Sequence, residues 1–514
     1  MMGRSKTKTK VSKKVSGDYK YKKDSLLYPL SKRHIYLLLF ILMVIILLSP
    51  FLKRYVIDKG PMAGDLSYNY QRVSLIQDRF HVQQDPLLSS RIISFGPYHY
   101  FLGILDRFWP LETSQKYLPF IFSIILFFSL LFVYNKLDFP LENFFYFLCI
   151  LILSPAFVFT FFIPIDISLF LAIFSLALAL LLSDFKIMPF FSYVLFLFVP
   201  LFNLHYSIFA LSILLLILCY SDRKKPSLYI TSIILVILSL FMFIVQGKQY
   251  IASASPLIIG PLLSTLISDF GAHIGIGVFH FILAFFGFFM SWKLKKSLIP
   301  LYLLFMFWII ISHHLLISYL IITCFLAFFG SFTFIHLSYI RWELKTLKNL
   351  TLLLLFCGLL FSTLSYVQRV SEFGPTSGFE EALSWLNKFE GDNVATIFSH
   401  FSRGNWIATL SGDSIVLDSG FSDVPDSYFR LNDSSRIFYS RNIDDTSVLL
   451  QKYSVSHIIL DDRLKDKLFQ SDDQGLLFLF NNKEVFDKLY YKDGVLIVRY
   501  NNPLIYAIQP TEER

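Results

Sequence analysis

The chain has 514 residues, of which 55% are hydrophobic and 16% charged, with a mean hydropathy of +0.58 and a formal charge of +9. A soluble domain carries about a quarter charged residues, so this balance excludes a wholly soluble protein. The four cysteines, Cys149, Cys219, Cys324 and Cys357, all lie inside apolar runs; they read as small hydrophobes, with no disulfide framework or CxxC metal pair.

Residues 1–33 hold eleven Lys and Arg against Asp18 and Asp24. This predicts a disordered cytoplasmic extension that touches anionic lipid, in preference to a nucleic-acid-binding arm. The apolar segment that follows begins near His34, is too long for a signal peptide and lacks a small-residue cleavage site. Apolar runs of about 16–22 residues then recur as far as residue 367, the length of membrane-crossing helices. They predict a polytopic α-helical membrane protein with eleven spans: 34–52, 117–134, 141–162, 165–183, 188–203, 205–220, 227–246, 272–291, 299–312, 315–336 and 350–367. The stretches 188–220 and 299–336 are too long for one helix and must turn at "FNLH" and "SHH".

The basic tail places the N-terminus in the cytoplasm. Even-numbered spans then return the chain inside at "NKLDFP", "SDFKIMP", "SDRKKPS", "KLKKS" and "RWELKTLKN", whereas "IPID" and "FNLH" on the other face carry no Lys or Arg. Eleven spans leave residues 370–514 outside. They also leave outside a long first loop, residues 53–116, which contains "GPMAGDLSYNYQRV" with Asp65, Tyr68, Tyr70 and Arg72. Further along, "PYHYFLGILDRFW" puts Tyr98, Phe101, Leu102, Leu105, Phe108 and Trp109 on one helical face. That face suits a helix in the membrane interface, or one packed as ordinary core.

A second acid, Asp166, sits in "FTFFIPIDISLFL" between spans three and four, on the same side as Asp65. A carboxylate at this depth caps the following helix or faces a functional cavity. Two acids on one membrane face could hold a hard divalent cation, Mg²⁺ or Mn²⁺, together with substrate phosphate oxygens. Arg72, Arg91, His99, His205, Lys248, His313 and His314 lie near the same face, where a phosphate needs such partners. The connection 246–271 reads as a mobile lid or substrate tunnel, or as an inert loop.

After Val370 the composition turns polar. "GFEEALSWLNKF" and "DTSVLLQKYS" read as helices, and "NVATIFS", "SIVLD", "SHIILDD" and "GVLIVRY" as short strands. The alternation predicts an α/β domain over residues 370–514, with a recognition or covering role. Asp413, Asp418, Asp461 and Asp462 fall at strand ends, where solvated loops are expected.

"AGDLSYNYQRVSLI" followed by "DPLLSSRIISFGPYHYFLGIL" resembles the first external loop of GT-C glycosyltransferases, closest in flavour to the catalytic subunit of oligosaccharyltransferase. "FFIPIDISL" stands where that superfamily often has its second acidic motif, and "EEALSWLNKFEGDNVATIFSHFSRGNWIATLSGDSIVLD" resembles the start of the subunit's external domain. The resemblance implies a GT-C-like transmembrane domain and transfer of a sugar from a polyprenyl- or dolichyl-phosphate donor. It implies Asp65 as base or metal ligand and Asp166 as metal ligand or acceptor-orienting group. Arg72, Tyr68, His99 and His205 would contact phosphate or sugar. The pattern also departs from the family. "HFSRGNW" replaces the sequon-reading Trp-Trp-Asp-Tyr-Gly motif, the Asp65-to-Arg72 spacing is one residue longer, and Asp166 stands alone where a pair is usual. These departures point to a glycan, lipid or other protein acceptor. A lipid or polysaccharide transporter is the rival reading, although neither an inverted repeat nor broken helices in corresponding halves are visible. A non-catalytic envelope-assembly protein is the third.

Overall fold

The computed structural model describes residues 31–56, 85, 88, 96–137, 140–185, 187–220, 226–246, 267–270, 272, 275–311, 316–372, 374–391, 395–420, 424 and 426–501. Packing divides the chain into two units, Met1–Phe51 with Pro119–Val370, and Leu52–Leu118 with Ser371–Arg514.

The helices in chain order are α1 (Lys32–Val56), α2 (Pro97–Leu105), α3 (Leu111–Leu137), α4 (Leu141–Ile152), α5 (Pro155–Phe162), α6 (Asp166–Leu182), α7 (Met188–Phe202), α8 (Leu204–Tyr220), α9 (Pro226–Gln246), α10 (Val278–Ser291), α11 (Lys295–Ile311), α12 (Leu316–Tyr339) and α13 (Lys345–Val370). Among the described residues six helices are long and apolar enough to cross a membrane, or seven with the bent α4–α5 pair as one span, and α6, α7 and α8 are shorter apolar helices. Their outward faces are apolar too: α9 exposes Ile230, Ile233, Ile237, Leu240, Phe241 and Ile244. Such a continuous apolar surface belongs against lipid. The chain is an integral membrane protein.

One of the six, the run Val278–Ile310, does not run straight. In a straight helix Phe288 and Tyr302 would stand about 21 Å apart. Their rings are 5.0 Å apart, and the Ser291 and Tyr302 hydroxyls are 2.6 Å apart. The chain therefore folds at the 3₁₀ turn Trp292–Leu294, within "SWKLKK", whose lysines disfavour the apolar interior.

The segment 141–162, expected as one unbroken span, is broken. α4 and α5 meet at 65°. The cause is "LSP": Pro155 has no N–H to continue α4, and Ser154 restarts the helix as N-cap by accepting from Phe157 N at 3.2 Å.

Polar contacts sort the helix ends. Tyr36 near the start of α1 donates to Asn135 at the end of α3 (3.0 Å), Lys136 pairs with Asp184 after α6, and the Tyr339 hydroxyl at the end of α12 donates to Glu142 at the start of α4. These termini therefore share one end of the helices.

The second unit contains a five-stranded sheet in the order β2-β1-β3-β5-β4. Its helices and strands are α14 (Ser377–Glu390), β1 (Thr396–Phe398), α15 (Phe401–Ser411), β2 (Ser414–Ile415), α16 (Ser427–Tyr439), α17 (Ile443–Lys452), β3 (His457–Asp461), α18 (Asp462–Leu468), α19 (Gly475–Leu479), β4 (Phe486–Lys492) and β5 (Val495–Tyr500). β2, β1 and β3 are parallel; β5 and β4 form an antiparallel hairpin. Its two-residue turn is Asp493–Gly494, both at positive φ (51° and 73°), the twist such turns need. Period-two alternation sends Ile397, Ile459 and Ile497 to one face, with α14 and α15, and Phe398, Ile458 and Val498 to the other, with α16, α17 and α19. The result is an α/β/α sandwich.

Leu88, from the long loop after α1, is fully buried in that first face, and its backbone N–H is held by Asp85 Oδ1 at 3.3 Å. Arg54, 2% exposed at the end of α1, donates to Ser371 O at 3.0 Å. In α2, Tyr98 and Leu102 are buried whereas Ile104 and Phe108 are exposed; the helix ends at Leu105, so Phe108 and Trp109 do not share its face.

Candidate functional site

Asp65, Tyr68 and Arg72 lie outside the described residues, as do Tyr70, Arg91, Lys248, His313 and His314. Asp166, His205 and His99 are described.

Asp166 is the first residue of α6, one position beyond its N-cap, Ile165, which makes no side-chain cap bond. The carboxylate is thus placed in the first turn, where the helix's positive end favours an anion. It is half-buried and receives the hydroxyl of Tyr206. Tyr206 is 4% exposed, stacks on Phe170 of α6 at 4.5 Å, and has its backbone N–H capped by Asn203 Oδ1 at 2.9 Å. The turn between α5 and α6 ("IPID") and the turn between α7 and α8 ("FNLH") are thereby joined at one end of the helices. His205 precedes Tyr206 and is half-buried in the first turn of α8. Sequence reading singled out His205 and missed Tyr206, although "FNLHY" puts the two side by side.

His99 belongs to the other unit. It is 8% exposed, and its Nδ1 accepts from Gly96 N at 3.2 Å, capping α2. That bond assigns Nδ1 as an acceptor, and with it a local structural task.

A further polar group in the helical unit surrounds Asp269, in "LISDFG". Asp269 Oδ2 accepts from Val278 N (2.6 Å) and Ser362 Oγ (2.9 Å), which ties the start of α10 to α13. His280 is fully buried and donates from Nε2 to Ile150 O at 3.1 Å. Arg369 reaches Ala272 O at 3.4 Å. No spacing pattern announces this group, because its members come from distant segments.

Among the described residues there is no group of three or more His, Cys, Asp or Glu able to hold a metal. Asp166 is the one described member of the pair expected for Mg²⁺ or Mn²⁺, and no step is derived through an ion.

In the α/β unit the expectation of solvated aspartates is corrected. Asp413, Asp418 and Asp461 are 4%, 0% and 8% exposed, and only Asp462 is exposed. Each buried carboxylate receives a backbone N–H: Ala395 on Asp413 (3.0 Å), Gly420 on Asp418 (2.9 Å) and Leu464 on Asp461 (2.8 Å). Parallel strands buried on both faces end inside the sandwich, so the turns there need internal acceptors. Asp461 also pairs with Arg403 (2.7 Å). Burial raises the Asp413 carboxyl above its ordinary range. "HFSRGNW" forms the N-terminus of α15. His400 is the N-cap, and its pKa is lowered to about 4, first by burial and then by Arg403 and Lys467. A Cβ on Gly404 would stand 2.2 Å from Leu417 O, so this approach of α15 to the strand-end turn requires a glycine.

No protein-family model and no curated protein matches the sequence. Solved structures do. The archaeal oligosaccharyltransferase AglB from Archaeoglobus fulgidus, in complex with an inhibitory peptide and a dolichol-phosphate, is 12% identical, with a TM-score of 0.56 over 95% of this chain and 76% of that chain. The apo form of the Archaeoglobus fulgidus oligosaccharyltransferase is 12% identical, with a TM-score of 0.55 over 83% of this chain and 70% of that one. ArnT from Cupriavidus metallidurans in the apo state is 8% identical, with a TM-score of 0.50 over 91% of this chain and 98% of that one. At these identities the likeness is one of fold, and the fold of this chain is the one shared by the GT-C glycosyltransferases AglB and ArnT.

Proposed function

We propose that the chain is a membrane glycosyltransferase that moves a sugar from a polyprenyl- or dolichyl-phosphate donor to an acceptor on the extracytoplasmic face. The observation that carries this reading is the GT-C fold over 95% of the chain, in likeness to a protein in complex with dolichol-phosphate. A half-buried carboxylate held at a helix end agrees with it. The acceptor is a glycan, a lipid or a protein; "HFSRGNW" in place of the sequon-reading motif argues against sequon peptides.

An inverting transfer needs a base for the acceptor proton and charge stabilisation on the departing phosphate. Asp65 takes the proton. Asp166, steadied by Tyr206, orients the acceptor hydroxyl. Arg72, Tyr68 and His205 bind phosphate and sugar, whereas His99, expected with them, caps α2. A Mg²⁺ or Mn²⁺ ion held by Asp65 and Asp166 would supply Lewis acidity at phosphate oxygens. The site then faces outward in an eleven-span topology with a cytoplasmic N-terminus and an extracytoplasmic domain 370–514. The sharing of one helix end by Tyr36, Asn135, Lys136 and Asp184, and of one end by Asp166 and Tyr206, is what that alternation requires.

The broken α4–α5 span favours a second reading, a lipid or polysaccharide transporter, since such breaks line substrate paths. Against it, two carbonyls freed at the break, Ile150 O and Leu153 O, are already bonded by His280 and Thr363.

The deciding experiment gives purified protein in liposomes a labelled polyprenyl-phosphate hexose and follows sugar release or transfer. Wild type should turn over, and Asp65→Asn and Asp166→Asn should not. Full turnover in both variants sinks the assigned roles. Movement of the intact lipid-linked sugar across the bilayer without release would establish the transporter instead.

A further inference from the structure

The break between α4 and α5 redirects backbone hydrogen bonds. In an unbroken helix Ser154 N would bond Ile150 O, and Phe157 N would bond Leu153 O. Instead Ser154 N turns to Leu151 O (3.1 Å), and Phe157 N turns to Ser154 O (3.1 Å) and Ser154 Oγ (3.2 Å). Ile150 O and Leu153 O, inside an apolar unit, thus lose their helical partners, a costly state in a membrane. Both are met by side chains from elsewhere. His280 of α10 donates from Nε2 to Ile150 O at 3.1 Å, and the Thr363 hydroxyl of α13 faces Leu153 O as well as Leu359 O of its own helix. Both side chains are fully buried.

The two donors are themselves braced. Asp269 ties Val278 N, at the start of α10, to Ser362, the neighbour of Thr363. Gly277 stands between them: a Cβ there would lie 2.4 Å from Ser362 Oγ and 2.6 Å from His280 Nδ1.

We infer that His280 and Thr363 are positioning residues that hold the α4–α5 break and thereby set where Asp166 stands. α5 has eight residues, and three residues separate its end from Asp166. Eight residues of helix span about 12 Å, so a swing of about 10° at the break displaces the far end by about 2 Å. The lever delivers that displacement to the carboxylate, whose bond to Tyr206 tolerates far less. His280 Nδ1 has no partner among the described residues, so the ring acts here as a donor from Nε2.

This inference rests on the proposed role of Asp166, and its test separates the two. Thr363→Val removes the donor at nearly constant shape, and Thr363→Ser keeps it; His280→Phe removes the donor, and His280→Gln restores an N–H at the same reach. With labelled polyprenyl-phosphate hexose, Thr363→Val and His280→Phe should lower kcat on the order of 100-fold, as a misplacement of about 1 Å does, with the donor KM little changed. Thr363→Ser and His280→Gln should recover most of the rate. In an Asp166→Asn background Thr363→Val should add no further loss. Wild-type kcat in folded Thr363→Val and His280→Phe protein overturns the inference, as does a loss that multiplies with that of Asp166→Asn. Thr363→Ala replaces Thr363→Val should the latter not fold. Wild-type turnover in Asp166→Asn alone instead overturns the functional reading.

Discussion

The Tyr206 hydroxyl donates a hydrogen bond to the Asp166 carboxylate, joining two helix connections that are far apart in the chain. The bond has a direct consequence. Tyr206→Phe keeps the stack on Phe170 and removes only the donor. Hydrogen bonds to charged groups contribute about 1.5–3 kcal/mol, so sugar transfer should fall roughly 10- to 100-fold, less than in Asp166→Asn. Turnover of Tyr206→Phe equal to wild type would show that the tyrosine does not steady the carboxylate.

Leu88 ties the loop after α1 to the α/β unit. Leu88→Ala empties a fully buried site among Phe379, Trp406 and Val424. The cost should be about 2–5 kcal/mol, read as a lower unfolding midpoint of the α/β unit in the full chain. An unchanged midpoint would mean that the loop does not contribute to that core.

His400 makes the α/β unit acid-sensitive. Its folded pKa of about 4 lies below the ordinary 6.5. A depressed pKa means that the unfolded state binds the proton first. The contribution is fully present above pH 6.5 and is lost as pH falls toward 4, by at most about 3 kcal/mol. His400→Asn keeps an N-cap acceptor and removes the titration. Its melting temperature should therefore depend less on pH between about 4 and 6.5 than that of wild type. Parallel pH curves for the two proteins would contradict this.

Gly404→Ala tests the close approach of α15 to the strand-end turn. The added methyl has no room against Leu417 O and Asp418. Overpacking of this kind costs about 1–3 kcal/mol, more where backbone must move. Circular dichroism melting should show the drop, and an unchanged melting temperature would mean that the turn yields to the methyl.

The local signals were legible because they depend on neighbours in the chain. Apolar runs marked the helices from Lys32 to Val370, "FNLH" marked a helix turn, and short apolar segments marked β1, β2, β3 and β5. The amphipathic edge strand β4, which is polar at Asp487 and Lys488, carried no apolar run and was missed.

By itself the sequence determined a multi-helix membrane protein with an appended α/β unit, since hydropathy and period are properties of contiguous residues. Tertiary structure alone decided the rest. "LSP" could end a helix or kink one; the choice rests on donors from His280 and Thr363, each far away in sequence. The aspartates at the strand ends could be solvated or buried; packing on both faces of the sheet buried three of them. Asp166 could cap its helix or face a cavity; the cap position falls to Ile165, and the hydroxyl of Tyr206, brought in by another turn, meets the carboxylate. Each of these outcomes depends on which distant groups meet, and no local pattern encodes that.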